Sequence, residues 1–248
     1  MNTFSDLLVA LTVDCKDNGV NFVTGNRIEV IRRLLADSDY RLLMESPLAF
    51  IYGKPGSSCR ILVSSHIDCV YPCCFVKQEI GGWQGTFDNS ATNAALIGLM
   101  LQNRLPDDVW IAFTGDEEVH SRGAVETMQL LGGAGQSPER VIVLDVSNEG
   151  FADEAVCSVE NDYGFDIMSG FQLVQALKNL ELPCVVVHDA EPDESWDYRK
   201  GIKGMFPELP CISLCIPVSG ELHGDDGVFM RESVVAGYQK VLETLCGL

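Results

Sequence analysis

The chain has 248 residues, of which 46% are hydrophobic and 21% charged, a balance typical of globular proteins with a hydrophobic core. Its formal net charge of −19 argues against nucleic acid and anionic membranes as partners, because both are themselves negatively charged. There is no apolar run of about 18 residues that could span a membrane and no basic secretory leader, and the ten cysteines stand mostly in apolar contexts. We therefore expect a cytoplasmic protein with reduced thiols.

The hydrophobic pattern predicts helices and strands that alternate along the chain. Helical periodicity covers residues 2–13 and 24–37, and a helix of small residues is predicted over 88–105. Later helices are predicted at GAVETMQLLGG, at GFDIMSGFQLVQALKNL and, closing the chain, at GVFMRESVVAGYQKVLETL. The strand-like runs are RLLMES, LAFIYG, CRILVSSH, FVKQEI, DVWIAFTG, RVIVLDV, PCVVVH and PCISLCIP.

This alternation predicts the class of fold. Strands that are apolar throughout and separated by helices indicate a mixed, mainly parallel sheet covered on both faces. We expect a single-domain α/β protein, without an internal repeat or a linker. The most irregular region is 188–208, and a long loop in a compact domain is more often functional than not.

Side chains that commonly bind metals stand where several predicted strands end. In open α/β sheets, ligands bind beyond the carboxyl ends of the strands, so these side chains are expected at one edge. Asp88, which opens the small-residue helix, is suited to N-cap that helix and to join the same group. The strand-end residues are His66, Asp68, Glu117, Glu118, Asp145 and His223.

Two imidazoles and several carboxylates form a nitrogen and oxygen ligand set that suits Zn²⁺ or a similar divalent ion. The carboxylates are too many for one tetrahedral ion. Two ions roughly 3.5–4 Å apart that share one carboxylate would use them all. A further carboxylate, not bound to metal, is then needed to accept a proton from water. The neighbours Glu117 and Glu118 point in different directions and can divide these two tasks.

An ordered series of motifs resembles the co-catalytic di-zinc peptidases, which are aminopeptidases and carboxypeptidases with a phosphorylase-like α/β fold. The chain is most similar to their single-domain M28-type aminopeptidases, with some M20- and M42-like features. The resemblance implies a three-layer α/β/α sandwich of the phosphorylase/hydrolase kind and one zinc-peptidase catalytic domain over residues 1–248, without an inserted lid or dimerisation domain. The motifs are His66-x-Asp68, GTFDN at 85–89, DEE at 116–118, LDVSN at 144–148 and ELHGDD at 221–226.

The resemblance also implies a role for each residue of the series. Two divalent ions are implied, Zn²⁺ first and Co²⁺ or Mn²⁺ as alternatives. Glu117 would be the general base, and Asp68 would orient a metal-bound imidazole, as carboxylates commonly do. A cis peptide bond is expected at Asp88–Asn89. The implied ligands are His66 and Asp145 for one metal, Glu118 and His223 for the other, and Asp88 as the bridge.

The implied function is that of a metal-dependent exopeptidase, with aminopeptidase favoured. Carboxypeptidase, dipeptidase and N-acyl amino acid deacylase activities stay open on the same centre, as does a non-catalytic peptidase-like binding protein. The expected partner is a peptide or N-acyl amino acid substrate, and an oligomer is compatible with the sequence. Asp197, Tyr198 and Arg199 are candidate substrate contacts, whereas the roles of His120 and His188 stay open.

Overall fold

The computed structural model describes residues 3–14, 25–71, 73–161, 167–188, 190 and 193–248. Over these residues the chain forms eleven strands in one mixed sheet, with helices packed against it. The helices are α1 (Phe4–Leu11), α2 (Gly25–Leu35), α3 (Ser90–Leu101), α4 (Arg122–Gly133), α5 (Ile167–Asn179), α6 (Glu194–Lys200) and α7 (Val234–Cys246). The strands are β1 (Arg41–Glu45), β2 (Ala49–Gly53), β3 (Ile61–His66), β4 (Val76–Glu79), β5 (Gly82–Gly85), β6 (Val109–Thr114), β7 (Arg140–Ser147), β8 (Cys157–Glu160), β9 (Cys184–Val187), β10 (Cys211–Ser219) and β11 (Val228–Arg231).

The centre of the sheet is parallel and its margins are antiparallel. Strands lie in the order β1-β2-β6-β3-β7-β10-β11-β5-β4, and β8 and β9 branch from β10. The four neighbours β6, β3, β7 and β10 run parallel, whereas β1, β2, β11, β5 and β4 join through antiparallel pairs. The predicted mixed sheet with a parallel centre is confirmed.

Helices cover both faces of this sheet, which confirms the three-layer arrangement. The larger hydrophobic core includes residues of α1, α3 and α7, and a second core on the other face includes residues of α4 and α6. Helix α3 is buried over almost its whole length, and it contacts α1 and α7. Its small and apolar residues allow this burial on every side of the helix.

The structure corrects the prediction for the end of the chain. The segment predicted as one closing helix begins as a strand, β11, and the helix α7 starts only at Val234. Strand β11 pairs with β5, where the sequence indicates only a glycine-rich turn. A Cβ at Gly82 would lie 2.0 Å from the carbonyl oxygen of Met230, so glycine is required for this close approach.

The described residues bear on three further expectations. The irregular region 188–208 contains the short helix α6, which begins at Glu194 with Asp193 as its N-cap. Within the described part of the chain, no helix is long and apolar enough to cross a membrane. The nine cysteines that the structure describes are free thiols, and six of them are buried.

Candidate metal centre

The metal-ligand residues predicted from the sequence meet at the carboxyl edge of the parallel strands. His66 is the last residue of β3, and Asp145 lies near the end of β7. Glu118 follows β6, and His223 lies in the connection between β10 and β11. Asp88 lies two residues before the start of α3, and the N-cap of this helix is Asn89, so the prediction that Asp88 caps the helix is wrong. Parallel neighbours bring their carboxyl ends to the same edge, so residues far apart in sequence converge there.

Asp88 stands between two groups of ligands and faces both. Its Oδ1 lies 2.9 Å from Nε2 of His66, and that nitrogen is 3.5 Å from Oδ1 of Asp145. Its Oδ2 lies 2.9 Å from Nε2 of His223, which is 3.2 Å from Oε2 of Glu118. The result is two triads that share one carboxylate, and in each the ligand atoms lie within 4.8 Å of one another.

The hydrogen-bonding state of these atoms fits divalent cations. Nε2 of His66, Oδ1 of Asp88 and Oε1 of Glu118 are buried, yet none forms a hydrogen bond with acceptable geometry. Buried polar atoms are rarely left in this state, because an unmet donor or acceptor costs about 1–3 kcal/mol. A cation held by nitrogen and carboxylate oxygen would satisfy all three, and such a mixed set suits Zn²⁺ and similar ions.

The electrostatics of the group point the same way. Burial, followed by the charge of Asp88, raises the pKa of Glu118 to about 10 and that of Asp145 to about 6. For Asp88, burial acts in the same direction, but the neighbouring imidazoles of His223 and His66 outweigh it and lower its pKa. The site therefore holds more carboxylates than the imidazoles can balance, and divalent cations would offset the excess.

Glu117 belongs to neither triad, but it lies beside them on the wall of the same cavity. Burial raises its pKa well above the ordinary value; the charge of His66 opposes this, whereas the charges of Asp145 and Asp88 add to it. A carboxylate with a raised pKa next to a metal centre is suited to accept a proton.

Asp68 contacts both the segment of Glu117 and Glu118 and the candidate ligand His66. It is fully buried, and its two carboxylate oxygens accept long hydrogen bonds from the backbone N–H groups of Glu117 (3.3 Å) and Glu118 (3.4 Å). Its Oδ1 is 3.5 Å from Nδ1 of His66, on the side of the ring opposite Nε2. Asp68 is thus placed to fix the orientation of the imidazole and of the segment that carries Glu117.

The bond between Asp88 and Asn89 is cis, which confirms the expectation from the resemblance. The Asn89 side chain donates to the backbone oxygen of Leu144 (2.6 Å), and Asn93 donates to the backbone oxygen of His66 (2.8 Å). These two amides connect the first turn of α3 to the strands β7 and β3. The same contacts hold Asp88 against His66 and Asp145.

The third carboxylate of the DEE sequence has a different environment. Asp116 has a φ of 66° and accepts hydrogen bonds from Nε (2.6 Å) and Nη2 (2.9 Å) of Arg122. His120 is exposed, with Nδ1 3.7 Å from the same carboxylate. Asp116 is therefore neutralised by the protein itself and lies outside the metal centre.

The cavity at the metal centre is strongly acidic. It has a volume of about 580 Å³ and is lined by seven carboxylates, and among the described lining residues there is no lysine or arginine. Four of the carboxylates are Glu117 and the three acidic members of the triads, Asp88, Glu118 and Asp145. The others are Glu149, Glu160 and Asp193.

The structure does not bring the predicted substrate contacts Asp197, Tyr198 and Arg199 into this cavity. Tyr198 is fully buried in the second core, where its hydroxyl lies 3.1 Å from Oγ of Ser64. Asp197 and Arg199 lie on the same helix, α6, and neither lines the cavity in the described part of the chain. The reason is the formation of α6, which directs Tyr198 towards the second core.

The sequence did not single out the carboxylates at the start of this helix. Glu194 is buried, accepts a hydrogen bond from Oγ of Ser64 (2.6 Å), and has a pKa raised by burial to about 7. Asp193 is the N-cap of the helix and also lines the cavity. Glu160, at the end of β8, lines the cavity as well. Glu160 and Glu194 are buried and Asp193 is partly buried, and the sequence pattern carries no signal for these positions.

No protein-family model and no curated protein matches the sequence. Solved structures do match over nearly the whole chain. A TET aminopeptidase from a marine sediment archaeon of the Thaumarchaeota is 11% identical with a TM-score of 0.77, covering 98% of this chain and 95% of that one. The TET1 peptidase of Pyrococcus horikoshii is 13% identical with a TM-score of 0.70, covering 98% and 99%.

A third structure, described as an endoglucanase from Thermotoga maritima, is 15% identical with a TM-score of 0.66 and covers 96% of both chains. The three neighbours thus share one fold under two kinds of enzymatic description. At these identities the likeness establishes the fold of the chain. Its function has to be argued from the site.

Proposed function

We propose that this protein is a metal-dependent aminopeptidase that removes N-terminal residues from peptides. The observation that carries the proposal is the pair of triads that share Asp88, in an acidic cavity whose wall also carries Glu117. The fold shared with TET aminopeptidases supports the same reading.

The chain's own residues supply a complete ligand set. His66 and Asp145 would hold one cation, Glu118 and His223 the other, and Asp88 both. When bound, two such cations polarise a substrate carbonyl and lower the pKa of water. We propose Zn²⁺ as the resident ion because imidazole and carboxylate ligands suit it, with Co²⁺ or Mn²⁺ as alternatives.

Glu117 would act as general base and then as general acid. Its carboxylate would accept a proton from the attacking water and pass it to the amine that leaves. The hydrogen bond from its backbone N–H to Asp68 fixes the start of the turn that presents it. Asp68 holds His66 as well, so one buried carboxylate would position both a metal ligand and the base.

The charge of the cavity favours an aminopeptidase over the other exopeptidases. Carboxypeptidases and N-acyl amino acid deacylases must bind a free carboxylate, and such sites need a cationic partner for it. The described lining has seven carboxylates and neither lysine nor arginine, so a substrate carboxylate would be repelled. A free α-amino group is cationic and would be attracted.

A panel of substrates with added Zn²⁺, Co²⁺ or Mn²⁺ tests the proposal. The panel contains aminoacyl-anilides, N-acetyl amino acids, C-terminally free blocked dipeptides and a soluble cellulose substrate. We expect hydrolysis of the anilides only, lost on chelation and restored by metal. Hydrolysis of blocked dipeptides, acetyl amino acids or cellulose in preference to anilides would replace the proposal, and metal binding without any hydrolysis would favour a peptidase-like binding protein.

We also propose that the chain acts as a single catalytic domain and assembles into an oligomer. The TET1 peptidase of Pyrococcus horikoshii is described as assembling into a tetrahedron or a large octahedral shell. Size-exclusion chromatography with light scattering measures the mass of the protein in solution. A mass of 27.1 kDa, which is that of one chain, would contradict assembly. The predicted kinship with M28-type aminopeptidases stays a prediction, because the neighbours reported above include TET peptidases.

A further inference from the structure

The cavity continues from the metal centre across the face of the sheet to a second acidic position. Asp145 on β7 pairs in register with Cys215 on β10, which pairs with Ser158 on β8. Glu160 lies two residues beyond Ser158, and residues two apart on a strand share one face. Two strand spacings separate β7 from β8, so Glu160 lies roughly 10 Å to the side of Asp145.

Two carboxylates meet at this far end of the cavity. Glu160 is 7% exposed and accepts a hydrogen bond from the hydroxyl of Ser158. Asp193 accepts a hydrogen bond from the hydroxyl of Ser213, the residue that pairs in register with Glu160. Burial raises the pKa of Glu160, and the charges of Asp193 and Glu149 raise it further. The far end therefore brings several acidic side chains together.

Bound metal would not cancel this charge. Two divalent cations carry four positive charges, whereas seven carboxylates line the cavity. The ligands and the base account for the carboxylates at the metal end. Those at the far end lie beside hydroxyl groups and other carboxylates, and no lysine or arginine is among the described residues of the lining.

The wall between the two ends is less polar. Cys215 of β10 lines it between Asp145 and Glu160, whereas Val187 of β9 pairs in register with Glu160 and lines the cavity beyond that carboxylate. The strand spacing makes the passage from Asp145 to Glu160 about as long as an extended basic side chain. Lysine and arginine have this composition, because an aliphatic stem leads to a cationic tip. A neutral apolar side chain would fill the passage and leave the carboxylates without a cationic partner.

We propose that the cavity selects peptides whose N-terminal residue is lysine or arginine, with Glu160 and Asp193 receiving the cationic tip of the side chain. This inference rests on the proposed aminopeptidase function, since it assigns that function's substrate class. The recognising element is the pair of carboxylates, and the metal centre would act on the peptide bond at the other end of the cavity.

The first test compares lysyl- and norleucyl-p-nitroanilide with the Zn²⁺-loaded wild-type protein. The two substrates have the same α-amino group, scissile bond and stem, and differ only in the ε-ammonium group. A hydrogen-bonded ion pair in a buried site predicts a ratio of kcat/KM of at least about tenfold in favour of lysine. A ratio of one or below would overturn the inference while leaving the aminopeptidase function standing.

The second test repeats the comparison with Glu160→Gln, which keeps the shape and the acceptor for Ser158 but removes the charge. We expect the lysyl-to-norleucyl ratio to fall by about tenfold or more. The matched control is Glu208→Gln, which removes the same charge from an exposed residue between α6 and β10 and should keep the wild-type ratio. Far-ultraviolet circular dichroism and metal content establish that each variant is folded and loaded.

The outcomes separate the two proposals. If Glu160→Gln lowers kcat/KM equally for both substrates, then Glu160 serves the shared α-amino group and the basic-residue inference is wrong. If the lysyl-to-norleucyl ratio of the variant equals that of wild type, then Glu160 does not recognise the side chain, and the inference is wrong as well. If neither anilide is hydrolysed by the loaded wild-type protein, the aminopeptidase proposal itself fails and the specificity inference fails with it.

Discussion

Three consecutive carboxylates, Asp116, Glu117 and Glu118, lie in two different electrostatic environments. The carboxylate of Asp116 accepts a hydrogen bond from the guanidinium of Arg122, and this bond is the main reason why its pKa is lowered. Glu117 and Glu118 turn into the cavity, where burial raises their pKa values and further carboxylates lie nearby. One region has a protein cation, and the other has buried acceptors in excess.

The difference teaches where a ligand is required. An acidic residue with an arginine partner needs nothing more from outside the chain. A buried group of carboxylates and imidazoles, with the atoms of His66, Asp88 and Glu118 left without aligned hydrogen bonds, is incomplete as a protein structure. Breaking each region in turn should therefore affect different properties, namely metal binding and catalysis in one case and stability in the other.

The largest effect is expected for Asp88→Asn. Asp88 is the one residue common to both triads, and the amide keeps its shape but not its charge. We expect bound metal to fall from two ions per chain towards none and hydrolysis to fall to background. Elemental analysis of the dialysed protein measures the first and the anilide assay the second. Two ions retained in the variant would mean that Asp88 does not bridge them.

Glu117→Gln should separate catalysis from metal binding. Because Glu117 belongs to neither triad, metal content should stay at the wild-type value. Loss of a general base predicts a fall in kcat of about 10²- to 10⁴-fold. Glu208→Gln serves as the control, since it removes an exposed carboxylate outside the cavity. A variant with near-normal kcat would remove Glu117 from the mechanism.

Metal removal should lower thermal stability through the same carboxylates. A ligand that binds only the folded state at about 100 times its Kd stabilises it by about 2.7 kcal/mol. For a chain of this size that corresponds to a Tm shift of roughly 5–10 °C per ion. Differential scanning fluorimetry with chelator and then with Zn²⁺ measures the shift. The Asp88→Asn variant should show almost none, and a wild-type Tm indifferent to metal would argue against a structural need for cations here.

Much of this site could be predicted from the sequence, because its ligands stand at strand ends. His66, Asp145 and His223 each follow or end an apolar run, and parallel strands place such ends side by side. The glutamates of DEE could be assigned to the cavity in the same way. The cis bond at Asp88 came from the motif resemblance, since local spacing alone gives no reason to expect it.

What could not be predicted depends on long-range pairing. Strand β5 contains two glycines and was interpreted as a turn, because only the approach of β11 makes glycine necessary there. The far carboxylates Glu160 and Asp193 share a cavity with Asp145 through the register of β7, β10 and β8. Tyr198 was predicted to contact substrate, but the start of α6 at Glu194 places it in the core instead. Register and helix boundaries of this kind are set by the tertiary fold.

The smallest expected effect is that of Arg122→Gln, which removes the cation from the region that has one. Asp116 is buried, and glutamine would remove the guanidinium that pairs with its carboxylate, so we expect Tm at pH 7 to fall by roughly 2–4 °C. Because folding lowers the pKa of Asp116, the pair stabilises the protein above the unfolded-state pKa of about 3.9 and ceases to do so as pH falls through the folded-state value. The Tm difference between wild type and variant should therefore be constant near neutrality and shrink below about pH 4. Arg33→Gln, at an exposed arginine of α2, is the matched control and should show no such difference. Metal content should be unchanged in both variants, because Asp116 lies outside both triads, and a loss of metal in Arg122→Gln alone would show that the two regions are coupled.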